Sequence, residues 1–431
     1  MIRGDRLHFF LINLGHFLDH LFTLIFATVA AVTLSREWGL GYAELLNYAT
    51  PGFFAFGLFA LPAGWLADKW SRDGMMVVFF IGAGIASIAT GFAQTPLQIG
   101  LGLFVTGVFA AIYHPVGLAI LTGKWRTSGM RLALNGVWGN LGVASAALLT
   151  GYLIDNAGWR AAFMVPGAVS IAVGLLYLVA RWPDVFVIEH RRARMTAAPE
   201  NGPLPPDYKA LLMRVSAIVF LTTAVSSIIF QSTTFALPKI FAERLQHLAA
   251  SLSDAIAAIP VLSDLIGRTD TATAIGAFAF LVFATASLAQ LAVGASLDKF
   301  GPRPVFIALA ITQLIFFSLM PGLTDGAALI AALGFMLGAF GQIPINDYMI
   351  GRMARGEFKA RIYGTRFVVS FTVLAATLPL VGFVHDRWGF DTLFRVLAVA
   401  AFVILVAVAG LPRRLPAPAE RLEPDLTPQR A

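Results

Sequence analysis

The chain has no cysteine among its 431 residues. It therefore has no disulfide framework, no zinc–thiolate site and no cysteine nucleophile. Charge is scarce as well: Asp, Glu, Lys and Arg make up 13% of the sequence, where a soluble chain carries about a quarter. That shortage excludes the two or three soluble domains that the length would otherwise allow. No nucleotide-binding loop or recognisable nucleophile motif is present, so neither an enzyme nor a cofactor is expected. What fills the chain instead is apolar, with 58% hydrophobic residues and a mean hydropathy of +0.77.

The apolar residues gather into twelve runs, near 8–34, 42–67, 74–93, 97–121, 132–154 and 159–181, then 213–237, 273–296, 304–323, 326–350, 362–384 and 391–411. Runs of about 20 residues match the bilayer core, and lipid leaves each no choice but a helix. The first run holds His16, Asp19 and His20 with no small-residue cleavage site behind it, and so reads as a retained helix. The expected class is an all-α polytopic membrane protein.

Placing both termini on one side puts 23 of the 31 Lys and Arg residues on that side and 7 on the other, with Arg366 inside a run. By the positive-inside rule that side is cytoplasmic. The net charge of +7 is thus explained by topology, and nucleic acid is not an expected partner; the bilayer is. The expected location is a bacterial inner membrane, with the chain as a monomer.

The sequence repeats itself. Gly64, Asp68 and Lys69 recur as Gly294, Asp298 and Lys299; Gly107 and Phe109 as Gly338 and Phe340; Gly151, Asp155, Gly158 and Phe163 as Gly382, Asp386, Gly389 and Phe394. A parallel repeat of two six-helix halves follows, the organisation that carriers use to expose a midplane site alternately to either side. The halves are 1–181 and 211–411. Between them lies a polar linker, 182–210, rich in Arg and Pro, and after them a Pro-rich tail, 412–431, expected to be disordered. The second half carries an outer insertion near 238–271, where Phe241, Leu245, Leu248, Leu252 and Ile256 fall at helical spacing. Either an amphipathic helix at the outer surface or a plain connector fits that pattern.

Gly64-Trp-Leu-Ala-Asp-Lys-Trp-Ser-Arg72 and its copy Gly294-Ala-Ser-Leu-Asp-Lys-Phe-Gly-Pro-Arg303 resemble the loop 2–3 signature of the major facilitator superfamily. Gly158-Trp159-Arg160 with Phe163 is similar to the start of its sixth helix. The resemblance covers nearly the whole chain and implies the major facilitator fold. It further implies that Asp68 faces the start of the eleventh helix, an anion stabilised by a helix dipole. Asp68, Lys69 and Arg72, with Asp298, Lys299 and Arg303, are then gating residues. Ser71 stands where that signature has glycine.

Gly15-His16-Phe17-Leu18-Asp19-His20, Tyr113-His114-Pro115 and Gly139-Asn140 resemble the fosmidomycin-resistance branch of drug exporters, which implies proton-driven efflux by antiport. The fifth run lacks the proline that drug antiporters carry after their glycines: Ala146 and Ala147 stand there.

His16, Asp19 and His20 share one helix face at i, i+3 and i+4, and His114 falls at the same depth, about 12 Å in. The first and fourth helices line the central cavity in the resembled family, so a cluster is implied. Three readings stay open for it: a proton-coupling group, since His beside Asp exchanges protons near neutral pH; structural histidines bonded between helices; or a metal site of His16, His20 and His114. Pro115 is expected to break a backbone bond in the fourth helix. Tyr113 and Trp138 are candidate pocket walls, and Asn140 a candidate site residue. In the second half the candidates are Gln231, Gln342, Asn346 and Arg366, the last with Asp347 as expected partner or an anionic substrate in its place. The function expected is movement of a small organic molecule by alternating access. Uptake of an organic anion, transport of a metal or its chelate, and a non-transporting receptor or scaffold are the alternatives.

Overall fold

Residues 3–124, 129–187, 206–259, 270–353 and 356–412 are described by the structure, a computed structural model. Span 1 is Arg3–Val29, prolonged by a π-helical turn, Ala30–Leu34, and a last turn, Ser35–Glu37. Spans 2 and 3 are Tyr42–Lys69 and Arg72–Gly91. Span 4 comes in two pieces, Pro96–Ala110 and Tyr113–Lys124, and spans 5 and 6 are Gly129–Ala157 and Trp159–Ala180. The second half holds span 7 (Pro206–Arg244), span 8 (Thr271–Phe300), span 9 (Pro302–Leu319) and span 10 (Asp325–Met353). A helical stretch, Gly356–Ala409, is broken by Gly389 at φ 73° into spans 11 and 12. Among the described residues 11 stretches are long and apolar enough to cross a membrane. Because the last of them contains two helices, the twelve expected spans are present in an integral membrane protein.

Local chemistry sets the boundaries. Thr95 caps span 4 by accepting from the amide of Gln98, with Pro96 in the first turn. Span 4 then breaks at Ala111 and Ile112, where Pro115 has no amide to give the carbonyl of Ala111. The break reorients the chain just before Tyr113 and His114. Inside the first half, spans 3 and 6 touch backbone to backbone: a Cβ on Gly84 would come within 2.6 Å of the Gly167 carbonyl, and one on Gly167 within 2.7 Å of Gly84's. Small residues permit such crossings, and dispersion then holds helices that lipid would solvate equally well.

Two expectations are corrected in detail. The outer insertion is not a separate element from residue 238: span 7 runs through Pro238 to Arg244, and Phe241 and Leu245 are buried in it. A distinct amphipathic helix follows, Gln246–Ala257. It is pinned over the end of span 10, where Asp325 accepts from the Leu248 amide at 3.0 Å and pairs with His247. Residues 260–269 lie outside the description. In the linker the chain forms one turn, Trp182–Val185, and span 7 begins at Pro206, inside the expected linker. The rest of the linker, 188–205, and the tail from 413 are outside the described residues.

Candidate functional site

Span 1 carries His16, Asp19 and His20 on one face, and the break in span 4 turns His114 toward them. The three imidazoles stand with centroids 4.9 Å (His16–His20), 5.3 Å (His16–His114) and 5.5 Å (His20–His114) apart. Asp19 is 0% exposed, and its Oδ2 lies 3.4 Å from Nε2 of His114. Neither Asp19 oxygen has a hydrogen-bond donor. His114 is partly open, with 23% of its side chain accessible. The implied cluster therefore exists in the first half's interior.

Its orientation is fixed from outside. Nδ1 of His16 donates to the carbonyl of Asn135 on span 5 at 2.7 Å, which sets its tautomer and leaves Nε2 facing the cluster without a partner. The ring sits so close over Gly139 that a Cβ there would fall 2.6 Å from it. Tyr113 stacks on the other side at 4.9 Å. Its hydroxyl donates to the Ile12 carbonyl and accepts from Asn135, whose amide also donates to Asn13. Tyr113 is thus a fully buried support for His16, not a pocket wall. Trp138 packs edge-on against Phe10.

The expected second-half residues form a separate, uncharged chain. Gln313 on span 9 accepts from Gln342 on span 10, and Gln342 accepts from Ser226 on span 7 at 2.6 Å. Thr222 donates to Asn346 at 3.3 Å. Gln231 is half-buried a little over one turn beyond Ser226. The side chains of Arg366 and Asp347 lie outside the description. Asn140 is not part of the histidine cluster. It donates to Gln290 of span 8 at 3.0 Å, a bond between the halves.

An apolar pocket of about 370 Å³ lies beside the cluster. Phe22, Phe26, Phe53 and Phe56 of the first half line it, together with Phe235 of the second. Phe56 stands edge-on to His114 at 5.8 Å. Sequence periodicity did not single out this pocket, because phenylalanines at such spacing read equally well as core.

The halves meet at the end opposite the termini. There a Cβ on Gly151 would fall 2.2 Å from the Ala272 carbonyl, and one on Gly276 2.4 Å from that of Ala147. Asp155 accepts from both the amide and the hydroxyl of Thr273, an anion at the start of span 8 where the helix dipole favours it. Gly382 of span 11 touches Ala43 at the start of span 2, and Tyr42 stacks edge-on against His385. The repeated Gly-x-x-x-Asp of the sequence thus marks the contact faces of spans 5 and 11. Toward the termini the same helices part. One turn beyond the Asn140–Gln290 bond, a Cβ on Gly136 or Gly294 would meet nothing within 4 Å.

The gating residues lie at the termini end. Asp68, with 68% of its side chain accessible, pairs with Arg72 at 3.0 Å. The residues it was expected to face, at the start of span 11, have side chains outside the description. Lys69 lies over Trp65 and Lys299 over Phe300, Asp298 is exposed, and Arg303 donates to the carbonyl of Ala409 at the end of span 12. Sequence reasoning missed a buried network nearby: His8, 1% exposed, bonds the Tyr177 hydroxyl at 2.8 Å. Tyr177 and Arg181 donate to Asp73, tying spans 1, 3 and 6 together. His8 was read only as the edge of an apolar run.

Twelve spans in two repeated halves, closed at one end around polar groups, define the architecture of a membrane carrier. The family model described as Major Facilitator Superfamily matches residues 12–269 and 245–428, and the chain belongs to that superfamily. Among curated proteins it is 27% identical over 38% of its length to a "Probable hexose phosphate transport protein" of Chlamydia pneumoniae, covering 36% of that protein. It is 29% identical over 35% of its length to a "Probable sulfoacetate transporter SauU" of Cupriavidus necator, covering 35% of it. To the 4-hydroxybenzoate transporter PcaK of Pseudomonas putida it is 27% identical over 48% of its length, covering 50% of that chain. The chain thus spans about a third to a half of these relatives. A solved peptide transporter POT with bound sulfate superposes with a TM-score of 0.70 at 13% identity, covering 94% of this chain and 95% of that one. Likeness at that identity concerns the fold. The fosmidomycin-resistance branch is not singled out by these comparisons.

Proposed function

We propose that the protein is a secondary active transporter that moves a small organic molecule by alternating access, coupled to protons through Asp19 and His114. In this reading the termini are cytoplasmic, the membrane is a bacterial inner membrane, and a monomer suffices. Export is the direction that the residues of spans 1, 4 and 5 favour by resemblance. The observation that carries the reading is one-sided closure over a buried carboxylate. The halves are joined at the end away from the termini, diverge toward the termini, and hold Asp19 beside His114 near their junction. Burying an unpartnered carboxylate is costly, and a carrier recovers that cost by loading and releasing a proton there once per cycle.

A second reading, uptake of an organic anion, is supported by the phenylalanine pocket abutting three imidazoles. That arrangement suits an aromatic or other apolar body with an anionic end, and the hexose phosphate, sulfoacetate and 4-hydroxybenzoate named for the relatives are all anions. Purified protein in proteoliposomes containing a pH dye tests both. Aromatic carboxylates and neutral hydrophobic solutes are screened under an imposed proton gradient, wild type beside Asp19→Asn. A solute-dependent proton flux that vanishes in Asp19→Asn is expected, and its direction and solute class choose between the readings. Solute movement without proton flux, equal in both proteins, overturns the coupling.

A further inference from the structure

We propose that His16, His20, His114 and Asp19 form a binding site for one late first-row divalent cation of the Zn²⁺, Co²⁺ or Ni²⁺ type. The inference stands whether or not the chain carries an organic solute.

Four observations converge on it. One ring nitrogen from each histidine lies within 4.8 Å of those of the other two. Tetrahedral bonds of about 2.0–2.1 Å place ligand atoms roughly 3.4 Å apart. The separation of His114 Nε2 from Asp19 Oδ2 is already 3.4 Å, and small side-chain rotations bring the remaining nitrogens in. That distance is long for a hydrogen bond but suits two ligands flanking a common ion.

The second observation is what lies unpartnered. His16 Nε2 and both oxygens of Asp19 are buried without any hydrogen-bond partner. Buried polar atoms are normally satisfied, and here three orphaned electron pairs belong to the cluster. A cation satisfies them together, whereas a single proton on Asp19 satisfies at most one.

Third, the outer support is that of a metal ligand. His16 directs its Nδ1–H at the Asn135 carbonyl, the arrangement that fixes the tautomer and ring orientation of metal-bound histidines. Gly139 below and Tyr113 above hold the ring in place. Fourth, the donor set is selective. Three imidazoles and one carboxylate suit zinc, cobalt and nickel and offer little to magnesium or calcium, which take oxygen. The partial exposure of His114 gives the ion a way in. Bound there, the cation displaces the proton from Asp19, so the two are alternative occupants of one carboxylate.

The test uses tag-free, chelator-treated full-length protein in detergent, titrated with Co²⁺ and followed by visible absorption. Expected are one equivalent bound, the strong d–d bands of a four-coordinate centre, and their loss when Zn²⁺ is added. His114→Ala and Asp19→Asn should each weaken binding by more than the ~10–100-fold that follows loss of a mere outer-shell partner. The second-half variant Gln342→Leu and the distant His247→Ala should bind as wild type. A variant that fails to elute as a monodisperse peak is replaced by the smaller change His20→Gln. Absence of a stoichiometric Co²⁺ complex in wild type overturns the proposal, as does a complex that survives His114→Ala and Asp19→Asn unchanged. Neither result bears on solute flux, which the proteoliposome experiment reads separately.

Discussion

The two halves share a backbone plan and differ in chemistry. In the first, spans 1 and 4 bury a carboxylate among three imidazoles, and a second ionisable network links His8, Asp73, Tyr177 and Arg181. In the second, the described interior polar groups of spans 7, 9 and 10 are amides and hydroxyls passing one hydrogen bond to the next. Position 345, which the repeat pairs with His114, is an isoleucine, and the neighbouring polar residue is the neutral Asn346. A duplicated scaffold therefore does not imply duplicated function. One half can hold the ion and the other can close over it, each free to be optimised for its own part.

Replacing Asp19 with Asn should have the largest effect, abolishing solute-driven proton movement, because it removes the only fully buried carboxylate of the described cluster. Next come the contact glycines. The backbone of Ala147 already lies against Gly276, so Gly276→Val should disfavour the closed end by about 1–3 kcal/mol. The absence of cysteine makes this measurable. A single Phe56→Cys, in the pocket, should react several-fold faster with an impermeant maleimide added from the side opposite the termini when Gly276→Val is present. An unchanged rate would mean that the two ends do not exchange closure.

Breaking the neutral chain should cost less. Gln342→Leu leaves Gln313 and Ser226 without their partner, a loss of about 1–3 kcal/mol seen as a lower unfolding temperature in detergent with proton coupling retained. The smallest effects separate the halves at one repeated turn. Ser71 has φ −149°, and its hydroxyl caps span 3 by accepting from the Gly74 amide while donating to the Asp184 carbonyl. Its counterpart Gly301 has φ +79° with Pro302 opening the next helix. Ser71→Ala should cost about 1 kcal/mol through the lost cap. Gly301→Ala should cost roughly 1–2 kcal/mol through backbone strain. Ser71→Gly should be nearly neutral, since glycine also caps well. A large loss in Ser71→Gly would show that the bond to Asp184 matters more than the cap.

Much of this was legible in the sequence because the bilayer imposes a simple rule. Apolar runs of the right length must be helices, and the offset of about 230 residues revealed the repeat. Histidines at i and i+4 with Asp19 between them announced a shared face, and Pro115 announced the break that brings His114 to it. The supports were not legible. Asn135, Ile12 and Gly139 act on His16 and Tyr113 through backbone carbonyls and missing side chains, features that carry no pattern along one helix. Gly151 and Asp155 were visible as repeated residues, but their partners, Ala272 and Thr273, belong to the other half and only packing pairs them. Asn140, grouped by sequence with the histidines, turns instead toward Gln290. A helix has several faces, and spacing within one helix does not say which neighbour each face meets.

The account's central claim is that ionic chemistry resides in the first half and that the second supplies neutral closure. Its most direct test is the number of protons moved per solute in proteoliposomes, measured for Asp19→Asn and Gln342→Leu side by side. Loss of proton movement in Asp19→Asn, with the wild-type ratio kept in Gln342→Leu, is the predicted result. A wild-type ratio in Asp19→Asn, or a ratio destroyed by Gln342→Leu in a protein that still carries solute, would contradict it.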